Sequence, residues 1–293
     1  MNKMIDLSKL PAPAVIEELS YENILQEARE QLQGLYPELV LVESDPAIKV
    51  LEVMAYRELL IRQRVNDASH GVMLAYAEKA DLDQIGANFS VERHIIDAGD
   101  PDANPPIPAI YEKDDEFRDR IQLSMEGQAS AGSTGQYVFH ALRVCADVRK
   151  VHVESPAPTV VHVYILTRAG NGVPDQAALD AVQAGLTAEE VRPLTDQVIV
   201  KPVEIIPYTV DATLYVDSGP SPEAVKQAAE KAVQAYVSER HTFGAGVPLS
   251  GLYAALHVGG VNRVVLIAPT AEINVDKHQA AFCTTINVTV QNA

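Results

Sequence analysis

The sequence lacks the features that usually mark a secreted, membrane-bound or disulfide-stabilised protein. Its 293 residues contain no tryptophan and only two cysteines, Cys145 and Cys283. Because each cysteine lies in a segment with an apolar pattern, we predict buried thiols rather than a disulfide. No apolar run approaches the roughly 20 residues that a membrane-spanning helix needs, and the first residues lack the apolar core of a secretory signal. We therefore expect a protein that is made in the cytoplasm.

Basic residues are also few. Lysine and arginine number 23 against 40 aspartates and glutamates, which gives a formal net charge of −17. Binding to nucleic acid or to an anionic membrane requires clustered basic side chains, and here Arg57, Arg62, Arg64 and Arg93 are interleaved with acidic residues. The composition therefore argues against both ligands. It suits a soluble protein, or one that binds a basic protein partner.

Motifs for catalysis and for cofactor binding are absent from the sequence. There is no Gly-Lys-Ser phosphate loop and no Gly-x-Ser-x-Gly elbow, and Gly170–Gly172 is typical of a turn. His152 and His162 flank a predicted hairpin, but no further metal ligand lies at a useful spacing. Asp81–Asp83 is typical of a helix start and Asp100–Asp102 of a solvated linker, with weak calcium binding as the alternative. We predict no catalytic residue, no cofactor and no metal site.

The N-terminal region carries signals for helices. Residues 1 to about 19 contain prolines and predict an extended arm. Ser20 can cap a helix that ends near Gly34. The apolar face of this helix would consist of Tyr21, Ile24, Leu25, Ala28 and Leu32. A short helix is also predicted from Asp81 to about Gly86.

The longest helical pattern begins at Ser44 or Asp45, because Pro46 loses no hydrogen bond at the first helical position. The pattern continues to about Ala77, interrupted only by Gly71, and an unbroken helix would be about 48 Å long. Apolar residues recur along it at steps of three and four, with Glu58 as a polar break: Ala47, Leu51, Met54, Ile61, Val65, Ala68, Val72 and Ala75. This spacing predicts a seam for packing against another helix.

Two interpretations of this seam are open. The Tyr21–Leu32 helix of the same chain could cover it, which would make the long helix an ordinary core helix. Alternatively, a second protein buries part of it, because one short helix cannot cover so long a seam.

A proline-rich segment follows at Asp97–Pro108. Its four prolines, two of them adjacent, cannot continue a helix or lie inside a sheet. The segment therefore predicts an extended linker and a domain boundary.

After the linker, the pattern predicts two helices and then a strand. Asp114 or Asp115 can cap the first helix, which ends at Gly127. Its apolar stripe would consist of Phe117, Ile121 and Met125. A turn at Ala131–Gly135 leads to the second helix, and a strand follows from Val148. The core face of the second helix would consist of Tyr137, Val138, Ala141, Leu142 and Cys145.

Strands and helices alternate in the rest of the chain. The predicted strands are Val160–Thr167, Gln197–Ile206, Tyr208–Val216 and Phe282–Val290, and the predicted helices run from Pro174 to about Ala188 and onward from Ser221. The segment Ala141–Pro156 resembles Ala255–Pro269, since each reads as a helix, a tight turn and a strand that ends at proline. Either a small α+β module is duplicated, or the chain uses one packing solution twice.

These patterns predict an α+β fold, with an N-terminal helical region that includes a long helix and two or more small α+β modules with mixed or antiparallel sheets. The predicted boundaries are 1–96 for the arm and helical region, 97–108 for the linker, 109–206 for the first module and 207–293 for the second.

Several segments, taken in order, resemble the baseplate J family, the baseplate wedge proteins of contractile-tailed bacteriophages and related contractile injection machines. The central ones are Phe117–Ile121, Ser130–Gly132, Tyr137–Leu142 and Val148–Val153. The others are Glu43–Ala47, Arg62–Ala68, Ala80–Asp83, Val191–Asp196 and Tyr253–Val258. The resemblance extends from about Leu10 to the C-terminus.

The resemblance implies a structural role without enzymatic activity. Two copies in different conformations would join a small companion wedge protein through their N-terminal helices and form the inner baseplate ring, which relays the contraction trigger. Further partners would be neighbouring wedges, sheath-initiating proteins and the hub and spike. The protein would lie in the virion tail baseplate after assembly in the bacterial cytoplasm. The partner-interface residues would be Leu51, Met54, Ile61 and Val65.

Two other functions remain as alternatives. One is a hydrolytic or lytic component of the same tail machine, and the other is a generic adaptor unrelated to phage tails.

Overall fold

The computed structural model describes residues 5–11, 13, 19–38, 42–43, 45–129, 131–217 and 221–292. Much of the predicted N-terminal arm lies outside these ranges, as do Ser44 and Ser130. Within the described part of the arm, Leu7–Lys9 forms a turn of 3₁₀ helix.

The elements confirm the predicted α+β class, with helices first and small mixed sheets after them. The helices are α1 (Tyr21–Leu35), α2 (Pro46–Gly71), α3 (Lys79–Asn88), α4 (Asp114–Gly127), α5 (Thr134–Val144), α6 (Gln176–Thr187), α7 (Pro222–Arg240) and α8 (Leu249–Leu256). The strands are β1 (Ile95–Asp97), β2 (Ile110–Tyr111), β3 (Val148–Ala157), β4 (Val160–Thr167), β5 (Gln197–Pro202), β6 (Glu204–Val216), β7 (Val261–Ala268) and β8 (Gln279–Asn292).

The chain divides into two compact units. The N-terminal unit comprises residues 2–94 and 111–122, and the second unit comprises residues 95–110 and the chain from Leu123 onward. The four-part division drawn from the sequence stays a prediction.

The first two helices begin at the predicted caps, whereas α3 begins at Lys79 rather than at the predicted Asp81. The Ser20 hydroxyl accepts a hydrogen bond from the Asn23 amide at 3.2 Å, which starts α1. An Asp45 carboxylate oxygen accepts one from the Ala47 amide at 2.8 Å, with proline at the first helical position of α2. Each side chain satisfies an amide that has no partner within the first helical turn.

Helix α2 ends at Gly71, so the helical pattern does not continue as one helix to Ala77; at 26 residues α2 is about 39 Å long. The guanidinium of Arg118 donates hydrogen bonds to the carbonyl oxygens of Leu74 and Ala77, both at 2.8 Å. Those carbonyls would bond to amides of the same helix if it continued. A Cβ at Gly71 would also lie 3.0 Å from the Asp81 carboxylate, which reflects how closely the next segment packs there.

The proline-rich segment differs from the predicted extended linker, because it forms the turn of a hairpin. β1 pairs with β2, and the Asp100 and Ile107 backbones bond to each other in both directions at 2.9 Å. Prolines occupy the turn, where no ladder hydrogen bond is lost.

Helix α4 has its predicted bounds but not its predicted face. Phe117 and Ile121 are buried, whereas Met125 is exposed, so its assignment to the core stripe is wrong. Arg120 and Ser124 are buried instead. The buried residues of α4 are therefore spaced by three and four positions, as in an amphipathic helix, but two of them are polar. A search for apolar residues alone does not detect such a face.

The second unit contains two three-stranded sheets, each with helices packed against it. In the first sheet the order is β3-β4-β5, with β4 antiparallel to β3 and parallel to β5. Helices α5 and α6 contribute Tyr137, Ala141, Val182 and Leu186 to its core. In the second sheet the order is β7-β6-β8, with β6 antiparallel to β7 and parallel to β8. The predicted strand Gln197–Ile206 is divided at Val203, where β5 ends and β6 follows.

The two similar sequence segments occupy equivalent places. They form α5–β3 and α8–β7, and each strand is the antiparallel neighbour of the central strand in its sheet. The central strand follows β3 in the first sheet but precedes α7, α8 and β7 in the second. Because a tandem copy would keep one order, a shared helix–strand packing accounts for the likeness better than duplication of the whole module.

Candidate partner interface

One side of α2 faces the core of the N-terminal unit. Helix α1 packs along α2, and Ile48, Ala55 and Asn66 are the buried residues of α2. These positions are 7 and 11 residues apart, which places them on one side of a helix with 3.6 residues per turn. Helix α1 therefore packs on a side of α2 that does not include the predicted seam, whose residues Met54, Ile61 and Val65 are exposed.

A second apolar stripe lies on the open side of α2, and we call it the open stripe. Its residues are Val50, Met54, Ile61, Val65 and Val72, with exposed fractions of 59%, 60%, 63%, 52% and 77%. At about 100° per residue the stripe lies roughly 120° from the buried positions. Because these side chains are exposed, helix α1 leaves the open stripe uncovered. Large apolar side chains that are exposed in a row typically mark a surface that another molecule covers.

Three of the four predicted interface residues belong to the open stripe, namely Met54, Ile61 and Val65. Leu51 is half-buried and lies between the stripe and the buried side. The sequence pattern did not separate the open stripe from the buried side. Ala47, Leu51 and Met54 are spaced as one helical seam, and Val50 and Met54 are spaced equally well as another. Role assignments for these residues remain a prediction.

Val50 was missed, although a signal for it exists in the sequence. From Val50 the stripe advances by 4, 7, 4 and 7 residues, which is an 11-residue repeat. Val53 and Leu60 are also exposed, but they lie roughly 100° from the centre of the stripe, with Arg57 and Arg64 between them and the stripe. Counting 11-residue rather than seven-residue steps would have identified this register.

Arg93 links α3 to α4 within the N-terminal unit. Arg93 bonds to Asp83 at 2.6 Å and to Asp114 at 2.7 Å, and its guanidinium lies 4.6 Å from the centre of the Phe117 ring. Burial alone would lower the pKa of Arg93, but these two carboxylates raise it above the usual value. Burial would raise the pKa of Asp114, but hydrogen bonds from Lys79 and Arg93 lower it. Both groups are therefore held in their charged forms.

The guanidinium of Arg120 also lies over the Phe117 ring, 5.6 Å from its centre. Arg120 donates two hydrogen bonds to the Glu112 carboxylate, at 2.8 and 2.7 Å, and both side chains are almost completely buried. The ring also contacts Gly86, where a Cβ would lie 2.5 Å from a Phe117 ring carbon. Gly86 lies inside α3 rather than ending it. This cluster joins α3 and α4 to the residues that precede α4.

The described residues offer no site for a metal. No three histidine, cysteine, aspartate or glutamate side chains within those ranges are placed to hold an ion. His152 and His162 share one face of the first sheet but are not directly opposite each other. In the register of β3 and β4, His152 lies opposite Tyr164 and His162 lies opposite Glu154. Cys145 and Cys283 are free, half-buried thiols. None of the described helices is long and apolar enough to cross a bilayer.

Histidines instead lie where the two sheet modules of the second unit meet. The His152 ring lies 5.9 Å from that of Phe243, and the Tyr164 ring lies 5.3 Å from that of His278. Among the described residues the buried His152 Nε2 atom has no hydrogen-bond partner, and a Glu154 carboxylate oxygen lies 3.8 Å from it. We interpret these rings as packing at the junction.

Three family domains match the chain in order. Residues 43–100 match the baseplate J-like N-terminal domain, residues 129–202 the central domain and residues 208–289 the C-terminal domain. The first match includes all of α2 and the open stripe.

A curated relative and a solved structure are also similar. Baseplate protein J of Escherichia phage P2 is 44% identical over 293 residues, which is 97% of each chain. The cryo-EM structure of the anti-feeding prophage baseplate contains a chain with 15% identity and a TM-score of 0.45. That match covers 62% of this chain and 44% of the other, so this chain spans less than half of that one.

Proposed function

The chain belongs to the baseplate J family, and on this premise we propose that it is a wedge protein that forms the inner baseplate ring. The family is structural and non-enzymatic, and its members are baseplate components of contractile tails and related injection systems. This family membership sets aside the lytic alternative and the generic adaptor. The finer proposal is that two copies in different conformations join one small companion wedge protein, and that the ring relays the contraction trigger.

The open stripe on α2 supports this proposal most directly. It runs from Val50 to Val72, the C-cap of α2, a length of about 33 Å. Covering a row of large apolar side chains removes apolar surface from water, which is the main driving force for association. A helix is a natural occupant, because helical side chains can interdigitate with such a row. We propose that the wedge bundle forms here, with neighbouring wedges, sheath-initiating proteins and the hub and spike as further partners in the tail baseplate.

The test is co-assembly with the small tail protein encoded next to this chain. We expect the mixture to contain two copies of this chain and one copy of the companion, measured as mass in solution. The variant Met54→Asp with Ile61→Asp should abolish the complex while leaving the second unit folded. Leu51 is unsuitable for this test because it is half-buried, so an aspartate there would also perturb the unit itself.

The matched control carries two apolar-to-acid changes outside the stripe, Val173→Asp with Leu194→Asp, at exposed positions of the second unit. This control should assemble normally. A wild-type chain that ignores the companion, or a stripe variant that assembles as well as the control, would contradict the wedge proposal.

A further inference from the structure

Two arginines border the open stripe without any ionic partner. Arg57 and Arg64 are exposed, and within the described residues neither takes part in an ion pair. Other cations of the same helix are paired: Lys49 with Glu52 at 3.0 Å and Arg62 with Glu58 at 2.6 Å. The chain has a net charge of −17, so two arginines without an ion pair on one edge of α2 form a local positive patch on an acidic protein.

The positions of these arginines relative to the stripe are defined by helix geometry. They are seven residues apart, so they lie two turns and about 10.5 Å from each other along the axis. Both lie roughly 60° from the centre of the open stripe, on the edge away from the buried side of α2. This is the place from which a side chain reaches around an apolar seam to a charged residue on a partner helix.

The spacing of the stripe adds a second constraint. An 11-residue repeat corresponds to about 3.67 residues per turn, slightly more than the 3.6 of a straight helix. A partner that follows the stripe over its full length therefore packs nearly straight or with a slight right-handed twist, unlike a left-handed heptad coiled coil.

We propose that the occupant of the open stripe is an acidic helix of another protein, with carboxylates about two turns apart facing Arg57 and Arg64, and that two α2 helices do not pair through the stripe in the absence of that acidic helix. This inference rests on the proposed function, because it specifies the partner of the same surface. Opposite charges at the rim of an apolar interface favour the correct register and disfavour wrong partners.

Self-pairing of α2 fails on charge in both orientations. In an antiparallel pair of identical helices, equal edges face each other, so Arg57 of one copy meets Arg64 of the other. In a parallel pair the arginine edge faces the opposite edge, where the carboxylate of Glu58 is already bonded to Arg62. Neither arrangement supplies a free carboxylate to the arginines, and like charges brought together weaken association.

The experiment reverses the two charges. The variant Arg57→Glu with Arg64→Glu should weaken binding of the adjacent-encoded companion by about tenfold, and should reduce the loss of affinity that added salt causes. The control Arg143→Glu with Lys231→Glu changes net charge by the same amount at exposed positions of the second unit and should leave affinity unchanged.

The outcomes separate this inference from the proposed function. If the charge reversal leaves affinity within twofold while Met54→Asp with Ile61→Asp abolishes binding, the stripe is the interface but the acidic partner is wrong. If neither variant affects binding, both proposals fail. A homodimer of the chain alone, dissociated by Met54→Asp with Ile61→Asp, would show that a second α2 occupies the stripe.

Discussion

The two longest helices, α2 and α7, use their apolar residues in opposite ways. Over 19 residues, α7 buries Val225, Ala229, Val233 and Val237 at four-residue steps, and it exposes no large apolar side chain. Over 26 residues, α2 buries only Ile48, Ala55 and Asn66. It exposes eight large apolar side chains: Val50, Val53, Met54, Tyr56, Leu60, Ile61, Val65 and, at its C-cap, Val72.

This difference distinguishes a helix that completes its packing within the chain from one that does not. The apolar residues of α7 stabilise the second sheet directly, because burial removes them from water. The open stripe of α2 contributes little to the fold of its own unit, where charged side chains around Phe117 hold the elements together. We infer that the stripe serves association, and the following predictions test the contrast.

The largest effect is expected in the charged cluster. Replacing Arg120 by alanine would leave the Glu112 carboxylate buried without its partner, and we expect a loss of about 3–5 kcal/mol from the N-terminal unit. Hydrogen exchange of amides in α2 and α3 measures this loss without involving the second unit. Replacing Arg120 by methionine together with Glu112 by leucine should recover much of it, since no buried charge then remains. Equal losses in both variants would mean that packing rather than charge is responsible.

The same substitution on the two helices gives the most direct comparison. Val233→Ala in α7 removes two fully buried methyl groups and should cost the second unit about 2 kcal/mol. Val65→Ala in α2 removes the same groups from an exposed position and should change stability by less than about 0.5 kcal/mol. The second variant should instead weaken binding of the companion. A comparable loss of stability at Val65 would show that the stripe is covered within the chain.

A smaller effect is expected from pH at the junction in the second unit. Burial lowers the pKa of His152 below 6.5, the nearby charges of His278 and Lys277 lower it further, and Glu154 partly offsets them. The unfolded chain therefore binds this proton more readily, so stability is fully present above pH 6.5 and falls as the pH drops below it. Burial also lowers the pKa values of His140 and His241, which adds to the same slope.

Urea unfolding of the second unit at pH 7.5, 6.5 and 5.5 measures this slope. His152→Phe keeps a ring beside Phe243 but cannot be protonated, so it should flatten the pH dependence below 6.5. An unchanged slope in this variant would exclude His152 as its source.

Local signals in the sequence predicted much of the fold. Ser20 and Asp45 start helices because their side chains satisfy first-turn amides, and β4 has its predicted bounds because its residues alternate between two faces. The failures have a common cause. The residues just after α2 are bonded by Arg118, which lies more than 40 positions away, and the buried face of α4 includes Arg120, whose partner Glu112 precedes the helix. Apolar patterns do not encode such polar long-range contacts.

The sequence predicted an apolar surface on α2 for binding another helix, but it identified only some of the residues of that surface. The sequence alone determined that α2 carries more apolar residues than one short helix can cover, because helical spacing distributes them over more than one side. Only the tertiary structure decided which side α1 covers, and it placed Leu51 beside the covered side and Val50 in the open stripe. The physical reason is that apolar spacing along a helix shows which residues gain from being removed from water, whereas the contacts that bury them depend on how the other segments pack.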